Sequence, residues 1–391
     1  MSLALCYNKY MSKKIHAPDY PFVITVGILT FFGIVVLTSA SSVLGFEDHG
    51  DSFYFLKRQV MVGIIPGLIA LIVLSKIEYQ KWRKFTPWFL LATIGLLLIV
   101  FIPGLGLKLG GSRSWISVFG FSLQTSELAK LSLLLYLGAW LERMGDVLKS
   151  WKNGFFPFVL IVGSTIGLVL LQPDLGTVTV LSMAVFAAYF VAGAPYTHLG
   201  LLVTGGVAMF VMLIKIAPYR IARLTTFLNP GLDPLGIGYH INQALIAVGS
   251  GGVFGLGLGH SRQKFAYLPE VAGDSIFAIV AEELGFVFSL ALVMLFAYLI
   301  YRGLRIAKYA PDMYGRILAT GITVWLGVQA FLNIGAMVGV FPITGLPLPF
   351  ISQGGTAILS ALAGAGVVIS ISKQTGHSVK QKHTAKVVKR K

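Results

Sequence analysis

Apolar residues in this chain come in long runs, without strict alternation and without a single amphipathic stripe. Ten stretches are predominantly apolar: approximately 21–44, 57–76, 85–103, 124–142, 154–171, 175–194, 197–216, 274–301, 315–340 and 353–372. Runs of this kind suit helices that cross a hydrocarbon core, which takes about 20 residues. The strands of a membrane β-barrel would alternate in polarity instead. The pattern predicts an all-α polytopic membrane protein with about ten transmembrane helices. Most connectors are short. Two are longer: 104–123, and 217–273, a large outward loop between helices 7 and 8. The chain thus divides into an N-terminal segment (1–20), a transmembrane domain (21–372) and a basic tail (373–391).

Composition agrees. The chain is 56% hydrophobic and only 12% charged, about half the charge of a soluble domain of this length. Residues 1–20 hold no apolar signal-like core, so the first span is expected to stay in the mature protein. The net charge of +16 could suggest nucleic acid, but its placement argues against that partner. With the N-terminus in the cytoplasm, roughly 21 of the 31 basic residues fall in inside segments and about 9 outside. Both termini are therefore expected in the cytoplasm, with the tail KQKHTAKVVKRK against anionic membrane lipids. The single cysteine, Cys6, allows no internal disulfide and no Cys/His metal cluster. No internal repeat is visible.

The acidic residues are few, 15 in 391, yet LPEVAGDSIFAIVAEELG (268–285) holds four: Glu270, Asp274, Glu282 and Glu283. Asp274 falls at the outer mouth of the eighth span. Asp is a favoured helix N-cap, the commoner use of that residue type; at a water–membrane boundary it can also serve as a general base or an electrostatic stabiliser. Glu282 and Glu283 lie about 12–14 Å deeper at helical rise. Carboxylates at that depth pair inside the bundle or line a polar cavity. Read as one continuous helix, the segment puts Glu282 about 80° round from Asp274 and Glu283 nearly opposite.

The fourth span opens QTSELAKL (124–131). Glu127 and Lys130 share a helix face, as an ion pair or as cavity lining, and Thr125 or Ser126 can cap the helix. QPDLGT (172–177) reads as a tight turn, with Pro173 ending one helix and Asp174 capping the next. GSRSWISVFG (111–120) places Arg113 and Trp115 in an outer loop, Trp115 as an interfacial anchor. EDHGD (47–51) is read as a solvated acidic loop. Within 217–273, YHINQALIAVGSGG contains a short apolar-periodic piece, and GGVFGLGLG (251–259) lets the backbone turn tightly or approach another surface. A re-entrant or interfacial segment fits there, flanked by Arg220, Arg223, Arg262 and Lys264. The glycine run is not a dinucleotide fingerprint, and no organic cofactor is expected. TGLPLPFISQGGT (344–356) predicts a broken entry to the last helix.

Together, GSRSWISVFGFSLQTSELAKL, QPDLGT, the run from Arg223 to Gly285 and GLPLPFISQGGT resemble the SEDS proteins (shape, elongation, division and sporulation), from the first helix to the last. AVGSGG and GHSRQKFAYLPE look more like the FtsW division branch than the RodA elongation branch. The resemblance implies a ten-helix peptidoglycan polymerase that joins lipid II into glycan strands at the outer membrane face. It implies a class B penicillin-binding transpeptidase as partner, within a divisome or elongation complex. The family's essential acid matches Asp274, and Gln124, Glu127, Lys130, Glu270 and Glu283 fall on motif positions. Two departures stand out. VAGDSIF replaces an HTDF-like run, so Ala272, Gly273 and Ser275 stand where bulk is expected. QTSE replaces QPSE.

An α-linked donor and a β-linked product imply inversion, which needs one base and no carboxylate pair. Asp274 is the expected base. Arg220, Arg223, Arg262 and Lys264 are candidates to stabilise the departing diphosphate, and Arg113 is a further substrate-binding candidate. A divalent cation, Mg or Mn, could share that work, although no DxD pair is present to hold one. Two other readings stay open: a lipid II flippase using Glu127, Lys130, Glu282 and Glu283, and a scaffold that only activates a transpeptidase.

Overall fold

The computed structural model describes residues 16–375, apart from 110, 111, 119, 120, 217, 230, 232, 235 and 237. Cys6 and the tail beyond Thr375 lie outside the described residues. Each of the ten predicted runs falls on a helix: α1 (Tyr20–His49), α2 (Tyr54–Lys76), α3 (Thr86–Ile99), α4 (Thr125–Met144), α5 (Trp151–Leu171), α6 (Leu175–Val191), α7 (Tyr196–Ile216), α10 (Ile276–Tyr309), α11 (Met313–Met337) and α12 (Gly355–Ser372). Seven of these are long and apolar enough to span a membrane by length and composition; α3 and α6 are shorter, and α4 carries its charges inside the run. The protein is a multi-pass helical membrane protein.

Local chemistry sets the helix ends. Asp19 accepts from Phe22 N at 3.0 Å at the start of α1, and Gly50 ends that helix in a left-handed conformation. Asp174 caps α6, as its sequence suggested, accepting from Thr177 N at 3.0 Å. Asp312 caps α11. The expected cap of α4 differs: its N-cap is Gln124, without a side-chain bond, and Ser126 instead donates to Asp174 across the bundle.

The core centres on α11 and α12, whose apolar windows are 78% and 83% buried, with α4, α6 and the first half of α10 around them. α7 stands at the other extreme, 6% buried. Small residues let the helices close: Gly321 faces Leu134, and Gly364 faces Ile322 and Trp325. The end of the bundle away from Asp274 is tied by Arg83, which donates to both Glu142 and Asp312 at 2.9 Å, while Tyr79 donates to Asp312.

The connectors carry further structure, of which only the apolar-periodic piece in YHINQALIAVGSGG is visible in the sequence. The 104–123 stretch is an antiparallel sheet, β1 (Gly106–Leu109), β2 (Ser112–Val118) and β3 (Phe121–Gln124), in the order β1-β2-β3. In the 217–273 region, α8 (Pro218–Leu228) and α9 (Tyr239–Ser250) form two further helices. α9 packs on α10 through Ala244 and Ala247, both fully buried.

Candidate functional site

Asp274 sits on a turn ahead of α10, outside the helix itself. Glu270 takes a left-handed conformation (φ 50°), and its carbonyl accepts from Gly273 N at 2.9 Å and Ser275 N at 3.2 Å. The turn is clamped from two sides. Asn333 of α11 donates through Nδ2 to the Asp274 and Leu346 carbonyls, both at 2.7 Å. Gln353 N donates to the Ala272 carbonyl at 2.8 Å. The 344–354 segment is extended and turned, as its prolines predicted. It lies against α1 at Gly33, where a Cβ would meet the Phe350 carbonyl.

The Asp274 carboxylate does not cap α10. The cap position is Ser275, with no side-chain cap bond, and Asp274 Oδ1 is buried without a hydrogen-bond partner. The residue as a whole is half-buried. Burial, reinforced by the nearby Glu270 charge, pushes its carboxyl up to about 7; Arg223 pulls the other way. Beside this turn lies a cavity of 210 Å³ lined by Arg223, Thr226 and Phe227 of α8, His240 and Ile241 of α9, and Ile343. His240 joins the two features through Ser275, Nε2 to Oγ at 2.6 Å.

Below the turn, α10 is broken. Gly285 has φ 78° and ψ −174°, so the helix is two helices across a kink. The backbone groups this frees are paired by the glycine run. Leu256 N and Gly257 N donate to the Glu282 and Glu283 carbonyls at 3.0 and 2.9 Å; Phe286 N and Val287 N donate to Gly252 and Val253. A Cβ at Gly255 or Gly285 would strike the opposing backbone. Ile276 and Gly285 are separated by about 14 Å at helical rise, so α9 and the 251–259 run form a re-entrant segment. Irregular backbone is tolerated at that depth because protein covers it.

This break reassigns the two deeper glutamates. Asp274 precedes the helix, so the face relation expected from one continuous helix does not apply. Glu282, 1% exposed, accepts from Ser261 Oγ and from Arg262 N at 2.9 Å. Glu283, 2% exposed, accepts from Ser39 Oγ and pairs with Lys264 Nζ at 3.0 Å. Lys264 is itself 4% exposed and also donates to the Gly259 carbonyl. It is therefore committed to the break, where the sequence offered it as an outer-face cation.

A third buried cluster lies along α4. Lys130 Nζ donates to Glu127 at 2.6 Å and to Gln329 at 2.7 Å, and lies 5.0 Å from the Trp325 ring centroid. Ser360 donates to the other Glu127 oxygen. Gln329 also donates to the Pro347 carbonyl. Gln329 and Asn333, one turn apart on α11, thus hold the Lys130 pair and the Asp274 turn through one helix face.

Of the remaining candidates, Arg223 lines the cavity and Glu270 is exposed beside Asp274. Arg262 is exposed on the loop above Glu282. Arg113 and Trp115 are half-buried on β2, with Arg113 N donating to the Gln172 carbonyl at the α5–α6 turn. Gln124 N donates to Thr356. The Arg220 side chain lies outside the described residues. Among the described residues, no group of three metal-ligating side chains occurs. Sequence reading passed over Gln329, Asn333, Ser39, Ser261 and His240. Two amides one turn apart in the apolar run GVQAFLNIG were the available signal.

A membrane-embedded helical bundle with a half-buried carboxyl at one mouth, one of its oxygens unpartnered, defines the class. Residues 20–377 match the FtsW/RodA/SpoVE family model, described as cell cycle protein, and the chain belongs to that family. It is 43% identical to stage V sporulation protein E of Bacillus subtilis (strain 168), covering 93% of this chain and 99% of that one. It is 38% identical to the probable peptidoglycan glycosyltransferase FtsW of Geobacter sp. (strain M18), covering 92% and 98%. Among solved structures, it superposes on a chain from a study of structural coordination of polymerization and crosslinking by a peptidoglycan synthase complex (TM-score 0.75, 29% identity, 92% and 98% coverage). It also superposes on Thermus thermophilus rod shape determining protein RodA (TM-score 0.67, 28% identity, 91% and 97% coverage).

Proposed function

We propose that this protein is a peptidoglycan glycosyltransferase that polymerises lipid II, with Asp274 as general base. One observation carries the reading: a carboxyl pushed up to about 7, with one oxygen unpartnered, beside a cavity that Arg223 and His240 line. A base poised near working pH suits removal of a proton from a sugar hydroxyl. Relatives named as probable peptidoglycan glycosyltransferases support the reaction class.

In this reading the acceptor 4-hydroxyl gives its proton to Asp274 as its oxygen attacks the anomeric carbon of the donor. The bond to the lipid diphosphate breaks, and the leaving group departs with the bonding electrons. Arg223, and Arg262 from the loop, offset the charge that develops. A Mg or Mn ion, where one takes part, would supply further neutralising charge to the departing diphosphate; among the described residues no group of three metal-ligating side chains occurs to hold it. The Asp274 mouth faces outward and both termini lie in the cytoplasm of a bacterium, as the loop charges favour. Likeness to a chain of a peptidoglycan synthase complex supports a crosslinking transpeptidase as partner. The flippase reading loses its main support, because Glu127, Lys130, Glu282 and Glu283 are each satisfied by fixed partners. The test is strand synthesis from lipid II by purified protein. Wild type is expected to make polymer and folded Asp274→Asn to make none; polymer from the variant would reject the base assignment.

A further inference from the structure

Two hydrogen bonds fix the state of the histidine beside Asp274. Ser275 Oγ lies 2.7 Å from the Pro269 carbonyl oxygen and 2.6 Å from His240 Nε2. The Pro269 carbonyl and the charged Asp274 carboxylate, which the Ser275 hydroxyl also reaches, only accept, so the single hydroxyl proton goes to one of those two and not to the ring. The hydroxyl oxygen must then accept from His240, which places the hydrogen on Nε2. Burial, with the Arg223 charge nearby, lowers the imidazole to about 4 and keeps it neutral. In a neutral ring protonated at Nε2, Nδ1 carries a lone pair.

The cavity lining gives that lone pair a use. Arg223 offers donors only, and Phe227, Ile241 and Ile343 offer neither donors nor acceptors. Among the lining side chains, His240 and the Thr226 hydroxyl are the ones able to accept. A saccharide presents hydroxyl and amide N–H donors, and a site built from an arginine alone would leave them unmatched.

We propose that His240 Nδ1 accepts a hydrogen bond from a donor group of the lipid-linked saccharide, and that Ser275 is the positioning residue that sets its tautomer and tilt. This deepens the polymerase reading and rests on it. It also gives a role to a departure noted in the sequence. Ser275 stands where the HTDF-like run carries bulk, and a larger apolar side chain there would supply no oxygen for Nε2.

Initial rates of strand synthesis, measured against lipid II concentration with the purified full-length protein, test this. His240→Phe keeps the ring size and removes both nitrogens. It is expected to raise KM roughly 5–10-fold, the scale of one lost hydrogen bond, with kcat held within about two-fold. His240→Gln can donate to Ser275 and still accept, and is expected to stay within about two-fold of wild type. Ser275→Ala should raise KM about three-fold, and Ser275→Thr, which retains the hydroxyl, should restore it. An unchanged KM in His240→Phe, or equal impairment in Gln and Phe, overturns the proposal. So does loss of kcat at constant KM. If His240→Phe does not fold, the Ser275 pair decides by the same criterion: unequal Ala and Thr support it, equal Ala and Thr overturn it. Failure of the wild type to make polymer rejects the polymerase reading itself. A normal wild type with unaffected variants rejects only the histidine's role.

Discussion

Asp274 stores a cost that its function would use. Its carboxyl is pushed up from 3.8 to about 7 by burial and Glu270, so the folded protein binds the proton more tightly than the unfolded chain. Stability is then fully present below the unfolded value and falls as pH rises toward 7. Asp274→Asn removes the burden, and thermal melts should show stabilisation on the order of 1–3 kcal/mol at pH 8 and almost none at pH 4. Activity has the opposite slope. The base acts as carboxylate, so kcat/KM should rise with pH and level off above about 7; a flat profile across pH 6–8 would contradict that role. The sequence showed that the acid sits at a mouth and left two uses for it, a cap or a base. The cap is excluded by Ser275 taking the cap position, while Asn333 holds the turn by the Asp274 backbone carbonyl. Neither follows from the spacing of residues along one segment.

At the scale of elements, the structure is joined by buried polar links. Lys264→Met leaves Glu283 charged and unpaired at 2% exposure, and should cost about 3–5 kcal/mol. Lys130→Met strands Glu127 in the same way. Replacing both Glu127 and Lys130 by apolar residues of similar size should destabilise less than Lys130→Met alone, a comparison that thermal melts of purified protein can make. Gly285→Ala would force a side chain into the left-handed region and against Gly255 N; a loss on the order of 3 kcal/mol or more is expected from strain and overlap. The helices themselves were legible, because each apolar run is its own signal. The break was not: EELGFVF continues the apolar run past Gly285, and isolated glycines are common in membrane helices. The sheet at 106–124 was missed because its strands are short, four to seven residues, and offer little alternation to read.

Across the whole molecule, burial is distributed unevenly. α11 and α12 form the fixed centre, while α7 is 6% buried. Conservative apolar changes on α7, such as Val203→Leu and Val207→Leu, should shift melting by no more than about 0.5 kcal/mol. Leu318→Ala and Ile322→Ala, both 0% exposed on α11, should cost about 2–5 kcal/mol. α7 is the more apolar of the two, yet α11 is the more enclosed. Apolar content reports fitness for lipid, and enclosure follows from which partners a helix meets. The discontinuity in α10 has a mechanical consequence. An unbroken rod would pass a tug at Tyr309 straight to the Asp274 turn. Here the rod is spliced at its joint by the chain at 252–257, so a load on the far half reaches Asp274 only through that splice, and slack there would insulate the near half.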